Sequence, residues 1–563
     1  MKRDISGLAS TEFDLVIIGG GITGACLAHD AASRGMKVAV VEKGDFGGAT
    51  SSASSKILHG GIRFLQQGQL RRVRECARER SYFQNLAPHL TTYVPFIIPT
   101  YKGMKRSKLL LSTAMAVYEL LCLGQNKHIK DCAKKVAGSR SLSKAEVQEL
   151  LPGIASQKMT GGLLFYESLM HSPERMTLAF LETAAHNGAV IANYIKAKSL
   201  LRVGDRLMGI CAQDLLNEED IEIRARLVVN AAGPWIPSIN KLVNNDRMTG
   251  VVAGFSKGAH IITRSLTDEY GVALPTRKKH KALISRGGRH IFIIPWRGRS
   301  LIGTTYAPYE GPLESVRATE SDVMELIHEL NTALEGASLK RQDVLFAYAG
   351  IYPLVEGQVN HDVYQGTHRD KIVDHARSDG LEGLVSVLGA RYTSARALAE
   401  KALNLIVKKF DRPYKPCQTR STPLLSGNIP DLNSFIRDKK REYSPIVDGK
   451  ITSHLITYYG ASVDRLLSLI RNKPELGKRL SPRHDVIEAE VVHAVKYEMA
   501  HHLDDVVFRR TGLGTLGSPG LDVIKRCAEL MGSALGWDWA AREQEISSTT
   551  AKFISWKNSC EMV

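Results

Sequence analysis

The chain has 563 residues, 44% of them hydrophobic and 24% charged, and a formal net charge of +17. That length exceeds one hydrophobic core and implies two or three packed units, and the ordinary composition excludes a disordered chain. Eight scattered cysteines without a CxxC pair argue against a zinc or iron–sulfur site and against a disulfide framework, and the excess of basic residues directs attention to anionic partners.

The first fourteen residues lack the apolar core of a secretory signal, so a cytoplasmic protein is expected. Leu15–Ile18 is a continuous apolar run, as in a strand buried on both faces of a parallel sheet. Gly19, Gly21 and Gly24 then spell G-x-G-x-x-G, a helix runs to about Ser33, and Val38–Val41 forms a second strand ending in Glu42. The first glycine permits the tight turn, the second lets a diphosphate approach the backbone, and the third lets helix and strand pack closely. The helix N-terminus favours the phosphates, and Glu42 can accept from a ribose while disfavouring a 2′-phosphate. A second such triplet, Gly512, Gly514 and Gly517, follows a charged segment, precedes Pro519 and lacks the strand context, so a loop is expected there.

After Glu42 the chain enters an extended Gly/Ser ribbon, "TSSASSKILHGGIRFL", Thr50 to Leu65. Small residues and hydroxyls suit a chain laid along a cofactor, although a solvated loop shares that composition. Gln69–Leu86 has helical spacing with an arginine-rich outer face expected to be mostly solvated. Ser107–Gly124 is apolar, too short and too interrupted to span a bilayer, and reads as a buried helix or as a membrane-surface helix with a basic flank. Ser172 and Pro173 begin a helix that Gly188 stops; strands follow from Ala189 onward, and Arg226–Trp235 is an apolar strand released into a Gly-Pro turn. Gly250 to about Tyr348 is strand-rich, with one helix capped near Thr319. "GLVSVLGARYTSARALAEKALNLIV" reads strand, Gly389 turn, then a helix from near Thr393. A Pro/Ser-rich stretch after Phe410 reads as a linker, and helical patterns dominate beyond it.

The motifs "IIGGGITGACLAHDAASRG", "TSSASSKILHGGIRFL", "VVNAAGPW", "SKGAHIIT", "LIGTTY" and "GARYTSARALAEKAL" occur in the order seen in FAD-dependent glycerol-3-phosphate dehydrogenases. The chain resembles that family, within the D-amino-acid-oxidase-like flavoproteins, from about Phe13 to Phe410 and more weakly in its C-terminal part. The resemblance implies an α/β fold: a Rossmann-type FAD-binding domain interleaved with a mixed β-sheet substrate domain, then a C-terminal helical domain. In residue terms it implies an oxidoreductase domain at 12–412, with the substrate sheet mainly at 250–349, a linker at 413–430 and helices at 431–545.

It further implies that FAD binds Gly19, Gly21, Gly24, Glu42, Thr50, Ser51, Ser52, Ser55, Lys56, His59, Gly60, Gly61, Ala232, Gly233, Gly389 and Thr393, without a covalent bond at His59 and without a metal. Arg63 and Arg369 match substrate-contacting arginines, and His260 a histidine placed as general base. The family's "SGVRPL" is here "AGIYPL", so Tyr352 replaces an arginine; its "GGKLTTYR" is "GARYTSAR", so Arg391 replaces a lysine; and Phe64 replaces a frequent tyrosine. These departures put the substrate in doubt while leaving the flavin chemistry intact. The implied reaction is oxidation of sn-glycerol 3-phosphate to dihydroxyacetone phosphate, with electrons passed to quinone, in glycerol metabolism. A same-fold enzyme for another small hydroxy or amino acid, or a flavin-binding protein without turnover, are the alternatives. No nucleic acid is expected as a partner. A homodimer and attachment to the cytoplasmic face of a membrane are both compatible with this reading.

Overall fold

The computed structural model describes residues 1–59, 64–65, 68–102, 108–152, 154, 158–243, 250–275, 290–334, 338–355 and 369–554. Two sheets organise the first three-quarters of the chain. In the first, Phe13–Ile18 sits centrally, parallel to Val38–Glu42 on one side and to Glu219–Asn230 on the other. Val190–Asn193 and Leu384–Leu388 extend it in parallel, and Lys371–Asp374 closes one edge antiparallel. Every residue of Phe13–Ile18 is buried, which is why that strand reads as a continuous apolar run. Helices Ile22–Ser33, Pro173–His186 and Ala395–Ile406 pack together over one face through Leu27, Ala31, Phe180, Leu181, Leu398 and Leu403.

The second sheet runs Ala307–Pro308, Gly254–Thr263, Arg299–Gly303, His290–Trp296, Gly271–Pro275, Thr91–Tyr101, Met159–Met170 and Ile57–Leu58, with Val344–Leu354 paired to Gly254–Thr263. It therefore recruits early strands as well as the later region, because Thr91–Tyr101 pairs along its whole length with Met159–Met170. The capped helix of that region, Glu320–Ala333, has a reciprocal Thr319–Asp322 capping box.

Helix Leu70–Leu86 forms as its spacing predicts, and Arg71, Arg74 and Arg78 are solvated, but Arg80 is not. Its guanidinium is buried and donates to Glu167 Oε2 and the Tyr118 hydroxyl, both at 2.9 Å. Along helix Lys108–Leu121 and the turn after it, Met115, Tyr118 and Cys122 face the core while Val117, Leu120 and Leu123 are exposed at 40%, 61% and 74%. Among the described residues no helix is long and apolar enough to cross a membrane.

Residues 413–430 contain no strand and only one short helical turn, Leu425–Gly427, yet they are held tightly. Leu424 N donates to Leu86 O at 3.0 Å, and Gly427 approaches the same carbonyl so closely that an added Cβ would lie 1.8 Å from it. The C-terminal region is helical, from Leu432–Tyr443 to Trp539–Ile554, with two cores of its own. The second glycine triplet is a loop, as its context predicts: Gly512 and Gly517 have φ of +63° and +120°, and the Gly512 carbonyl accepts from Arg297 Nη1 at 3.0 Å.

Candidate active site

Between the two sheets runs an elongated crevice of about 720 Å³. One end is built by the first strand–turn–helix. Gly19 takes φ +113° with its Cα against the Ala231 carbonyl, where an added Cβ would come within 2.7 Å. Gly24 lies on the Gly19 carbonyl, at 1.8 Å for an added Cβ, so helix and turn touch backbone to backbone. At the helix start, Ile22 N donates to Ser51 Oγ at 2.9 Å, binding the ribbon to the turn. Glu42 lines the same end, its two oxygens accepting from Gly20 N at 2.7 Å and Gly44 N at 2.9 Å. Burial raises its carboxyl above the usual range, and those two amides oppose the rise.

The other end lies where Gly254–Thr263 is flanked by Val344–Leu354 and Arg299–Gly303. His260 is buried there, its ring stacked on Tyr348 with centroids 5.1 Å apart, and Gly303 leaves the room its imidazole needs. Tyr348 donates to Ser54 O at 2.7 Å, joining this end to the ribbon. Tyr352 and Tyr306 line the wall beside it, edge to face at 6.2 Å.

Arg391 closes this end, its guanidinium 4.9 Å over the Phe64 ring and its Nη2 3.5 Å from Asp370 Oδ2. Arg72 lies over the same ring at 5.7 Å. Burial, then the nearby Arg391 cation and, more weakly, Arg369, holds the Arg72 guanidinium below its ordinary pKa against the pull of Asp370. Cys76, beside Arg391 at 3.5 Å, is pushed up to about 11 by burial and stays a thiol at neutral pH. Arg391 and Arg72 thus lie over one ring, with Arg369 near enough to act on Arg72, a concentration of cations suited to holding an anion.

Residues 14–401 match the family described as FAD dependent oxidoreductase, and residues 417–542 match the C-terminal domain of alpha-glycerophosphate oxidase. A glycerol-3-phosphate dehydrogenase of Synechocystis is 30% identical over 555 residues, covering 97% of each chain. The mitochondrial glycerol-3-phosphate dehydrogenase of Homo sapiens is 32% identical over 566 residues, 97% of this chain and 73% of its own. The glycerol-3-phosphate dehydrogenase of Bacillus halodurans, solved with FAD, shares the fold at a TM-score of 0.76 and 24% identity, covering 98% of this chain and 96% of that one. The chain belongs to the FAD-dependent glycerol-3-phosphate dehydrogenase family.

FAD is the cofactor of this family, and the crevice fits it. The glycine turn leaves backbone where side chains would intrude, and buried polar atoms stand at the far end. Arg391 Nε, in that lining, is sealed from solvent without a hydrogen-bond partner among the described residues, as are Thr393 Oγ1 and Ser394 Oγ just outside it. A ligand with hydrogen-bonding edges on its ring system suits such a lining.

Most of the family's expected positions line the crevice: Gly19, Gly21, Glu42, Thr50, Ser51, Ser55, His59, Ala232, Gly233, Gly389, His260, Tyr352 and Arg391. Others do not. Gly24 packs beneath the turn, as its role requires. Ser52 and Lys56 face away: Ser52 Oγ donates to Ala49 O at 2.9 Å, and Lys56 Nζ donates to Glu174 Oε1 at 2.9 Å in a buried ion pair. Both line a second cavity of about 490 Å³ behind the ribbon, where the Lys56 ammonium lies over Trp296 and Tyr348. Thr393 is buried outside the lining, and the helix expected there begins at Ala395. Arg369 is exposed and off the crevice, next to Asp370, whose Oδ1 accepts from Ala390 N at 3.0 Å. Gly60, Gly61 and Arg63 lie outside the described residues. Sequence reasoning passed over Asp45, Tyr306, Arg72 and Arg509. Arg509 stands in the "DDVVFRR" segment, set aside as the charged flank of the second glycine triplet.

Proposed function

We propose that this chain oxidises the secondary hydroxyl of sn-glycerol 3-phosphate to the ketone of dihydroxyacetone phosphate. The observation that carries the reading is that a single crevice is lined by a buried imidazole, His260, and by a guanidinium, Arg391, with Arg72 beside it over the same Phe64 ring. Bound FAD supplies the two-electron acceptor that takes the carbinol hydrogen as hydride. The chain's own residues do the rest. Arg391, with Arg72 behind Phe64, holds the phosphate dianion, and this fixes which carbon is presented. His260, its ring plane set by Tyr348, receives the hydroxyl proton as the carbon–oxygen bond gains double-bond character. Strands packed on both sides of His260 keep water from that proton.

Electrons leave, in this reading, to a quinone at a membrane surface. The exposed apolar residues Val117 and Leu120, on helix Lys108–Leu121, and Leu123 just beyond it, with the basic residues Lys102 and Lys108 preceding them in the sequence, support attachment to an anionic bilayer. A second reading is favoured by one feature: Tyr352, in "AGIYPL", supplies only a phenol where the family motif it resembles has an arginine. Losing a charged contact costs about 1.5–3 kcal/mol, which would let another small hydroxy acid compete. Anaerobic mixing with a substrate panel decides between them. Bleaching of the flavin by glycerol 3-phosphate and not by lactate, malate, 2-hydroxyglutarate, glycerol or small amino acids supports the first reading; bleaching by one of the others alone replaces it.

A further inference from the structure

Asp45 sits in the crevice wall just beyond Glu42 and is almost fully buried. Its carboxylate is gripped from the C-terminal region. Arg510 donates to both of its oxygens, Nη1 to Oδ2 at 2.6 Å and Nη2 to Oδ1 at 2.7 Å, and Arg509 donates to Oδ2 through Nε. Asn193, at the end of a strand of the first sheet, donates to Oδ1 at 3.1 Å and to Met499 O at 2.8 Å. Burial works against ionisation there, yet Arg510 and Arg509 hold the Asp45 carboxyl well below the usual carboxylate range.

The rest of the network is matched charge for charge. Arg509 Nη2 donates to Asp505 Oδ1 at 2.5 Å, Tyr194 donates to the same oxygen at 2.6 Å, and Arg175 donates to Glu498 Oε1 at 2.6 Å. Three guanidiniums therefore face three carboxylates, and the network contributes no surplus charge. What it does is fix one guanidinium in place. Arg510 is wholly buried, whereas Arg509 retains 14% side-chain exposure and lines the crevice. Its Cδ lies where a Cβ added to Gly48 would be 3.8 Å away, in the Gly47–Ser51 stretch that binds the helix start. Among the described residues its Nη1 makes no hydrogen bond.

We propose that Arg509 is a cofactor-binding residue, donating from Nη1 to the diphosphate of FAD, so that cofactor binding stabilises the docked C-terminal helical region. A guanidinium held by two carboxylates is already ordered when the phosphates arrive, so little side-chain entropy is lost on contact. The diphosphate then receives two kinds of donor: the amides at the start of helix Ile22–Ser33 and a cation brought from nearly 500 residues downstream. This inference depends on the cofactor and not on the identity of the substrate, so failure of the substrate panel leaves it standing.

The test uses apoprotein reconstituted with FAD, ADP or adenosine, with binding followed by flavin fluorescence and by competition. Arg509→Gln is expected to weaken FAD and ADP by about ten- to a hundredfold and to leave adenosine unchanged, because adenosine has no phosphate. Arg509→Lys is expected to recover part of the loss. Equal weakening of ADP and adenosine, or no weakening of either, overturns the proposal, the first because it marks a purely structural role. Hydrogen exchange of residues 505–517 in the unsubstituted chain provides a readout that does not require the variant to fold. ADP should slow exchange in that segment and adenosine should not; no slowing with ADP overturns the proposal.

Discussion

The His260 imidazole lies against the Tyr348 phenol ring, with planes 16° from parallel and centroids 5.1 Å apart. Stacking fixes the ring plane, and in the proposed function a ring nitrogen takes the proton. His260→Gln should therefore lower the rate of anaerobic flavin reduction by about a hundred- to ten-thousandfold while FAD stays bound. Stopped-flow absorbance measures the rate. A variant that reduces its flavin at the unsubstituted rate would remove His260 from the mechanism.

In the proposed function, Tyr352 and Arg391 set the substrate. Restoring the family's residues with Tyr352→Arg should tighten glycerol 3-phosphate by about ten- to a hundredfold, seen as a lower KM with a modest change in kcat. Arg391→Lys alone should weaken the contact to Phe64, because an ammonium lacks the planar face that stacks on a ring. Steady-state kinetics on the two single variants separates these effects. A higher KM for Tyr352→Arg would show that the phenol is itself the better partner of the true substrate.

His89 is buried, and burial, followed by the cations Arg175, Lys134 and His171, pushes its imidazole down to about 3. In the unfolded chain it titrates near 6.5. The unfolded state therefore binds a proton first as pH falls, and the stability contributed by the neutral ring is lost from about 6.5 downward. Urea midpoints should drop between pH 7 and pH 5. In His89→Leu that drop should be smaller by up to about 2 kcal/mol. An unchanged pH dependence in the variant would show that other groups carry it.

Leu120, near the end of helix Lys108–Leu121, and Leu123, just beyond it, present apolar side chains to solvent. Leu120→Ser with Leu123→Ser should weaken co-sedimentation with vesicles containing anionic lipid by about tenfold and leave thermal stability nearly unchanged, since neither residue packs in the core. Equal sedimentation of variant and unsubstituted chain would exclude this face as the attachment surface.

Legibility in the sequence followed the range of the interactions. The first strand, turn, helix and second strand carry their start and stop signals within thirty residues, and their ends fall within a residue or two of where the glycines and the apolar runs place them. The ribbon after Glu42 was legible as a cofactor wall but not residue by residue. Thr50, Ser51 and Ser55 face the crevice while Ser52 and Lys56 face the rear cavity. Composition cannot separate them, because both sides of the ribbon are polar. Arg80 looked like one more surface arginine; only the pairing of Thr91–Tyr101 with Met159–Met170 brings Glu167 to it. Arg509 was hidden for the same reason, its partner Asp45 lying more than 460 positions away.

The central sheet has a consequence for biosynthesis. Its parallel strands come from residues 13–18, 38–42, 190–193, 219–230 and 384–388, so the pocket's floor is stitched from stretches that leave the ribosome far apart in time. Contacts of such long sequence separation form slowly and late. A nascent chain holding only its glycine turn and first helix has the fingerprint without the grip. The vitamin-derived ligand must wait at least until the strand ending at Leu388 has been made, about two-thirds of the way along the polypeptide.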